Sequence, residues 1–209
     1  MSGNLVGELI LWLIVAIVAI IIGVYIVNWL YHRSSKEVSF VRTGFLGERV
    51  VINGGAFVLP FIHDYTPVNM NVLPMGVVRS MQDAVITRDR MRVDIEADFY
   101  VRVQATAAAV SIAAATLGRR TLEPEQLHAL LSGKFVSAIR SVAAEMTMEQ
   151  MHEQRGDYVA RLKAAAAEAL AQNGLELESV AITDLDQTDL EYFNPSNRFD
   201  AEGDRKSVV

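Results

Sequence analysis

The chain has no cysteine. That excludes disulfides, thiolate metal sites and S-palmitoylation together. Its four histidines are scattered and fall into no metal-ligand spacing. No G-x-S-x-G elbow, no G-x-x-x-x-G-K-[ST] loop and no G-x-G-x-x-G fingerprint occurs. Asn53-Gly54-Gly55 is read as a turn, because no helix start follows it to cradle a phosphate. Ser132-Gly133-Lys134 lies inside a helical pattern and reads as an exposed helix face, not a Ser-Lys dyad. No catalytic, cofactor or metal residues are therefore assigned, and no enzyme activity is expected. Positive charge is also scarce. The net charge is −6 and the pI about 5.2. Nucleic acid is not expected as a partner, because phosphate binding needs clustered Lys and Arg. The pair Arg119-Arg120 reads as a solvated loop.

One further absence is the most informative. Leu9 to Val27 (LILWLIVAIVAIIIGVYIV) holds no charge and no proline. A helix rising about 1.5 Å per residue spans a hydrocarbon core of about 30 Å over such a run. A cleaved signal peptide would need a basic start and a small-residue cleavage site. MSGNLVGE has no Lys or Arg, and Asn28-Trp29-Leu30-Tyr31 follows the run. The expectation is one uncleaved transmembrane helix over residues 9–30, after a short extracytoplasmic segment 1–8, with the lipid bilayer as partner. Trp12, Trp29 and Tyr31 belong near the headgroup layers, and Ile17 near the centre of the span. His32, Arg33, Lys36 and Arg42 follow the span, whereas only Glu8 precedes it. Basic flanks stay cytoplasmic, so the chain should be single-pass with its N-terminus outside.

The remainder divides in two. Residues 37–103 read as strands and tight turns. Val50 to Val58 is a hairpin candidate turning at Asn53-Gly54. Arg92 to Val103 alternates strictly, with Val93, Ile95, Ala97, Phe99, Val101 and Val103 on one face. Asp83 to Thr87 should pair with it across Arg88-Asp89-Arg90. This predicts an antiparallel sheet with one solvated side. Residues 106–173 read as helical. Thr106 caps an alanine-rich run ending at Gly118, and Pro124 starts a helix reaching Glu145. Leu127, Leu130, Leu131, Phe135, Ala138, Ile139 and Val142 form its apolar stripe. Thr147 and Gln150 form a capping box, and a last helix runs from Asp157 to Asn173. A final strand over 175–184 completes an α+β domain.

Ala56 to Ile62 (AFVLPFI) is strongly apolar and close to the anchor. It reads either as a buried strand ended by Pro60 or as a wedge dipping into the leaflet. In the second reading Phe57, Leu59, Phe61 and Ile62 contact lipid.

VVINGGAFVLPFIHDYTPVNM, TRDRMRVDIEADFYVRV and LESVAITDLDQTDLEYFNPSNRFDAEG follow the anchor in this order. The combination resembles the flotillins of the SPFH (band 7, prohibitin-homology) superfamily, most closely the bacterial inner-membrane type, over residues 37–203. The resemblance implies an SPFH domain behind a bacterial inner-membrane anchor. It also implies a non-enzymatic scaffold that organises membrane microdomains as a homo-oligomer, often beside a membrane protein of the NfeD type. The alternative it offers is a regulatory SPFH subunit of a membrane protease. The family's long coiled coil would begin where this chain stops. Residues 204–209 (DRKSVV) match the in-frame translation of a common sequencing adapter and are read as carry-over.

Overall fold

The computed structural model describes residues 2–44, 47–59 and 61–192. Helix α1 (Ser2–Leu30) contains the apolar run. It starts well before Leu9, because nothing between Ser2 and Glu8 breaks a helix. Its stretch Gly7–Leu30 is long and apolar enough to cross a membrane, and none of that stretch is buried against protein.

The strand-rich half is antiparallel, as expected, but it forms three sheets. Strands β1 (Tyr31–Arg33) and β4 (Gly55–Phe57) make a small ribbon. Strand β2 (Val38–Gly44) is central between β3 (Arg49–Val51) and β5 (His63–Asn69). Both faces of β2 are covered. Phe40 packs with Val51, Ala56 and Val58 in a small core of its own, while Val41 joins the main core.

The hairpin expected over Val50 to Val58 does not form. The chain does turn at Gly54, where φ is +122°, but β3 and β4 pair with different partners. Ser34 decides this. Its backbone N–H donates to the Gly54 carbonyl at 2.8 Å, and its hydroxyl donates to the same oxygen at 2.9 Å. The turn's acceptor is thus held by the segment after β1, and β4 continues along β1.

The main sheet is built on β8 (Arg92–Val103), which has the boundaries and register that its alternation implied. All six of its inward residues, Val93 to Val103, are buried. Strands β6 (Leu73–Arg79) and β7 (Val85–Ile86) lie along one edge of β8, and β9 (Leu175–Gln187) along the other. The stretch Asp83 to Thr87 is a strand only at Val85–Ile86, because Met81–Asp83 forms a 3-10 turn. Strand β9 runs three residues past the expected end. Two register shifts against β8, at Glu178 and Thr183, break its alternation. Lys163 Nζ donates to the Glu178 carbonyl at 2.8 Å, and Arg155 donates to that of Ile182. At the opposite edge His128 Nε2 donates to the Gly76 carbonyl at 2.7 Å.

The helices cover the buried face of this sheet. Helix α2 (Ala107–Thr116) is capped by the Thr106 hydroxyl, which accepts from the Ala109 N–H. Helix α3 (Pro124–Glu145) spans the expected residues, with Pro124 in its first turn. Its stripe is buried except for Leu130, which lies at the margin of the apolar arc and is 43% exposed. Helix α4 (Met148–Glu153) carries the Thr147/Gln150 capping box. Helix α5 (Arg155–Ala171) is shifted two residues earlier than expected and packs on α3 and β9. Phe99 of β8 stacks on Phe135 of α3 with ring centroids 4.3 Å apart. Gly174, at φ +70°, reverses the chain into β9 where a side chain would strike the Ala109 carbonyl. The outer face of the sheet carries Asp94, Glu96, Asp98, Asp184 and Asp186 on β8 and β9. The segment 204–209 and most of the Tyr-Phe-Asn-Pro ending lie outside the described residues.

Candidate membrane-contacting site

Of the residues assigned to membrane contact, Trp29, Tyr31 and the segment 57–62 come together where α1 meets the domain, while Trp12 and Ile17 lie farther along α1. Strand β1 follows α1 with no intervening loop, and the Leu30 carbonyl accepts from the Val58 N–H at 3.0 Å. Tyr31 lies directly across from Phe57, and their rings tilt together with centroids 5.3 Å apart. The final residue of the apolar helix is therefore hydrogen-bonded to the apolar segment 56–62.

That segment divides by pleat. Ala56 and Val58 point into the small core and are buried. Phe57 and Ile62 are each 52% exposed, Leu59 is 40% and Phe61 is 98%. Ala56 and Val58 thus fit the buried-strand reading, and the other four side chains are open to the surroundings. Pro60 lies outside the described residues. The tip is folded back by the Ile62 and His63 N–H groups, which both donate to the Leu59 carbonyl. His63 Nδ1 accepts from the Leu59 N–H at 3.2 Å.

Trp12, Ile17 and Trp29 are all exposed on α1, as a lipid-facing helix requires. Arg33 lies over the Tyr31 ring at 5.8 Å, a distance suited to cation–π attraction. Lys36 is exposed. Arg42 differs from these two. It is 8% exposed, and its Nη1 donates to the Phe57 carbonyl at 2.8 Å. The position assigned to an aqueous basic flank instead supports the apolar segment from beneath. Among the described residues, no group of three or more His, Asp or Glu side chains is placed to hold a metal ion.

Comparison with known proteins identifies the family of the domain behind α1. The profile of the SPFH domain / Band 7 family matches residues 27–202, from the end of α1 through the whole domain. The chain is 48% identical over 196 residues to the flotillin family inner membrane protein YqiK of Escherichia coli, covering 92% of this chain and 35% of that protein. It is 27% identical over 199 residues to the flotillin family inner membrane protein sll1021 of Synechocystis, covering 91% of this chain and 29% of that protein. The chain thus spans about a third of the length of these relatives. With the family profile covering the whole α+β domain, the chain belongs to the SPFH domain / Band 7 family.

Proposed function

We propose that this chain is a non-enzymatic membrane scaffold of flotillin type, which organises membrane microdomains by associating with copies of itself. Its place is the bacterial inner membrane, with the N-terminus outside and the SPFH domain in the cytoplasm. A membrane protein of the NfeD type is a fitting neighbour.

The observation that carries the reading is the bond between Val58 N–H and the Leu30 carbonyl. If α1 spans the bilayer and ends at Leu30, the side chains of Phe57, Leu59, Phe61 and Ile62 lie at the headgroup boundary. Four exposed apolar side chains in one short segment are costly in water and favourable there, by roughly 1.5–3 kcal/mol for each one fully transferred. The domain is then pressed against the leaflet at two places, the helix and the wedge. A scaffold benefits from this geometry, because every copy presents its flanks in the same orientation.

The lack of cysteine makes the test direct. A single cysteine replacing Phe61 is labelled with an environment-sensitive dye in the full chain in liposomes. The expected emission is blue-shifted and quenched by a bilayer-embedded quencher, unlike the same label at Val78 on the outer face of the sheet. Equal, water-like emission at both positions refutes the wedge. A reporter active only in the cytoplasm, fused after Gly203, should be active. A dead reporter there turns the reading toward the protease-regulator branch.

A further inference from the structure

The face of β2 that looks toward the β1–β4 ribbon gathers cationic and donor groups, two of them buried without a partner among the described residues. Register places Arg42 between Arg49 of β3 and Tyr65 of β5, and places His63 across from Gly44. Residues directly opposite each other share a face. Arg42, Arg49 and His63 therefore project from the same side at the same end of the sheet. Two like charges in direct register repel each other, yet no carboxylate among the described residues forms an ion pair with either arginine. Arg42 uses Nη1 on the Phe57 carbonyl, and its buried Nε has no partner. His63 Nδ1 accepts a backbone N–H, so the ring proton sits on Nε2, which is also buried without a partner. Gly44 makes this possible, since a Cβ there would lie 2.6 Å from His63 Cδ2. A buried donor left unsatisfied is costly, and neighbouring ones seldom persist without a shared acceptor.

We infer that this face is an anion site for a phosphate group, and that its ligand is the headgroup of an anionic phospholipid. Guanidinium groups bind phosphate through charge-assisted, often bidentate, hydrogen bonds. A phosphate between Arg42 and Arg49 offsets their mutual repulsion and offers an acceptor on the face that carries the unpartnered Arg42 Nε. The source is decided by location. Phe57, whose carbonyl orients Arg42, and Leu59, whose N–H orients His63, belong to the proposed wedge. The site therefore sits at the depth of lipid phosphates. This inference rests on reading α1 as a span and 57–62 as leaflet-facing. It adds a lipid preference to that reading and couples the preference to the wedge, because one phosphate would lock both residues that hold the segment.

The test uses the full chain, delipidated in mild detergent, and titrates dihexanoyl phosphatidylglycerol, dihexanoyl phosphatidylcholine and inorganic phosphate. Bound lipid is counted by native mass spectrometry and checked against thermal melts. Phosphatidylglycerol should bind and raise the melting temperature, while phosphatidylcholine and inorganic phosphate bind much more weakly. R49Q, on an exposed edge strand, should weaken binding by about fivefold, the worth of one cation near an anionic surface. R42Q should weaken it at least as much, and R49Q still reads the site if R42Q does not fold. K36Q, a cation on the same flank outside this face, should leave the affinity nearly unchanged. Equal binding of phosphatidylcholine, or equal losses in R49Q and K36Q, overturns the site. Inorganic phosphate binding as tightly as phosphatidylglycerol overturns the lipid source. Alkaline carbonate extraction of the same proteins from membranes keeps the two readings apart. A released wild type defeats the anchor, whereas retained proteins without lipid selectivity defeat only the inference.

Discussion

Replacing Phe99 with Asp tests the register on which the whole domain depends. Phe99 lies at the centre of β8, fully buried, opposite Met75 of β6 and Val180 of β9, with its ring stacked on Phe135 of α3. Removing the ring alone costs about 3–5 kcal/mol, since sheet and helix on either side leave little freedom to collapse. An ionised carboxylate in that space adds several kcal/mol more, with no partner group to offset it. Net stabilities of single domains are about 5–15 kcal/mol. Phe99→Asp should therefore unfold the domain, and Phe99→Ala should lower its melting temperature by roughly 6–20 °C at 2–4 °C per kcal/mol. Asp98→Ser, one residue away, is the control. Asp98 is partly exposed on the acidic outer face, opposite Gly76 and Ala181, and forms no ion pair among the described residues. Its loss should change stability by no more than about 0.5 kcal/mol. Circular-dichroism melts of this chain and its variants in detergent decide the matter, read at a signal for the β-containing domain. Equal melting temperatures for Phe99→Asp and Asp98→Ser would show that the assigned faces of β8 are wrong.

Tyr158 is fully buried and its hydroxyl has no partner among the described residues, and burial pushes its phenol well above the ordinary value near 10. The folded state keeps the phenol proton where the unfolded chain loses it, so stability should fall as pH rises above about 10. Tyr158→Phe should melt no lower than the wild type at neutral pH and lose part of that alkaline slope. Gly174→Ala combines a left-handed φ with a Cβ 2.2 Å from the Ala109 carbonyl oxygen. It should lower the denaturation midpoint by at least about 2 kcal/mol equivalent, and an unchanged midpoint would contradict the turn into β9. Ile17→Arg places a charge near the middle of α1 at an insertion cost of about 2.5–3.5 kcal/mol. Partial loss from the membrane fraction is expected, and unchanged fractionation and topology would contradict the span.

What could be read in advance depended on whether a single residue's period carried the information. Strand β8 was legible because twelve residues alternate without interruption. Helix α3 was legible because Pro124 and a continuous stripe agree on its limits. The far end of β9 was not, because the extra residues at Glu178 and Thr183 reset the alternation twice. The separation of β3 from β4 was hidden for a different reason. It depends on Ser34, about twenty residues away in sequence, taking the carbonyl of the Gly54 turn. Within the apolar segment 56–62, hydropathy located the apolar residues, and the pleat then divided them into Ala56 and Val58 inside and Phe57 and Leu59 outside. Arg42 was assigned by its charge to an aqueous flank. Its burial follows from pairing with Tyr65 and Arg49, which local pattern does not encode.

The carbonyls held by Lys163, Arg155 and His128 have a consequence for life on a membrane. A chain tethered by one helix diffuses in two dimensions and meets its copies far more often than a free protein at the same abundance. An open strand edge under such crowding is a template for irreversible sheet growth. Here two of the outer strands of the main sheet, β6 and β9, have edge-region acceptors already occupied by helix side chains, and β9 is further distorted by its extra residues. The carbonyls of Gly76, Glu178 and Ile182 are then closed to an incoming strand. If copies gather in the membrane as proposed, these occupied acceptors disfavour irreversible sheet growth between them.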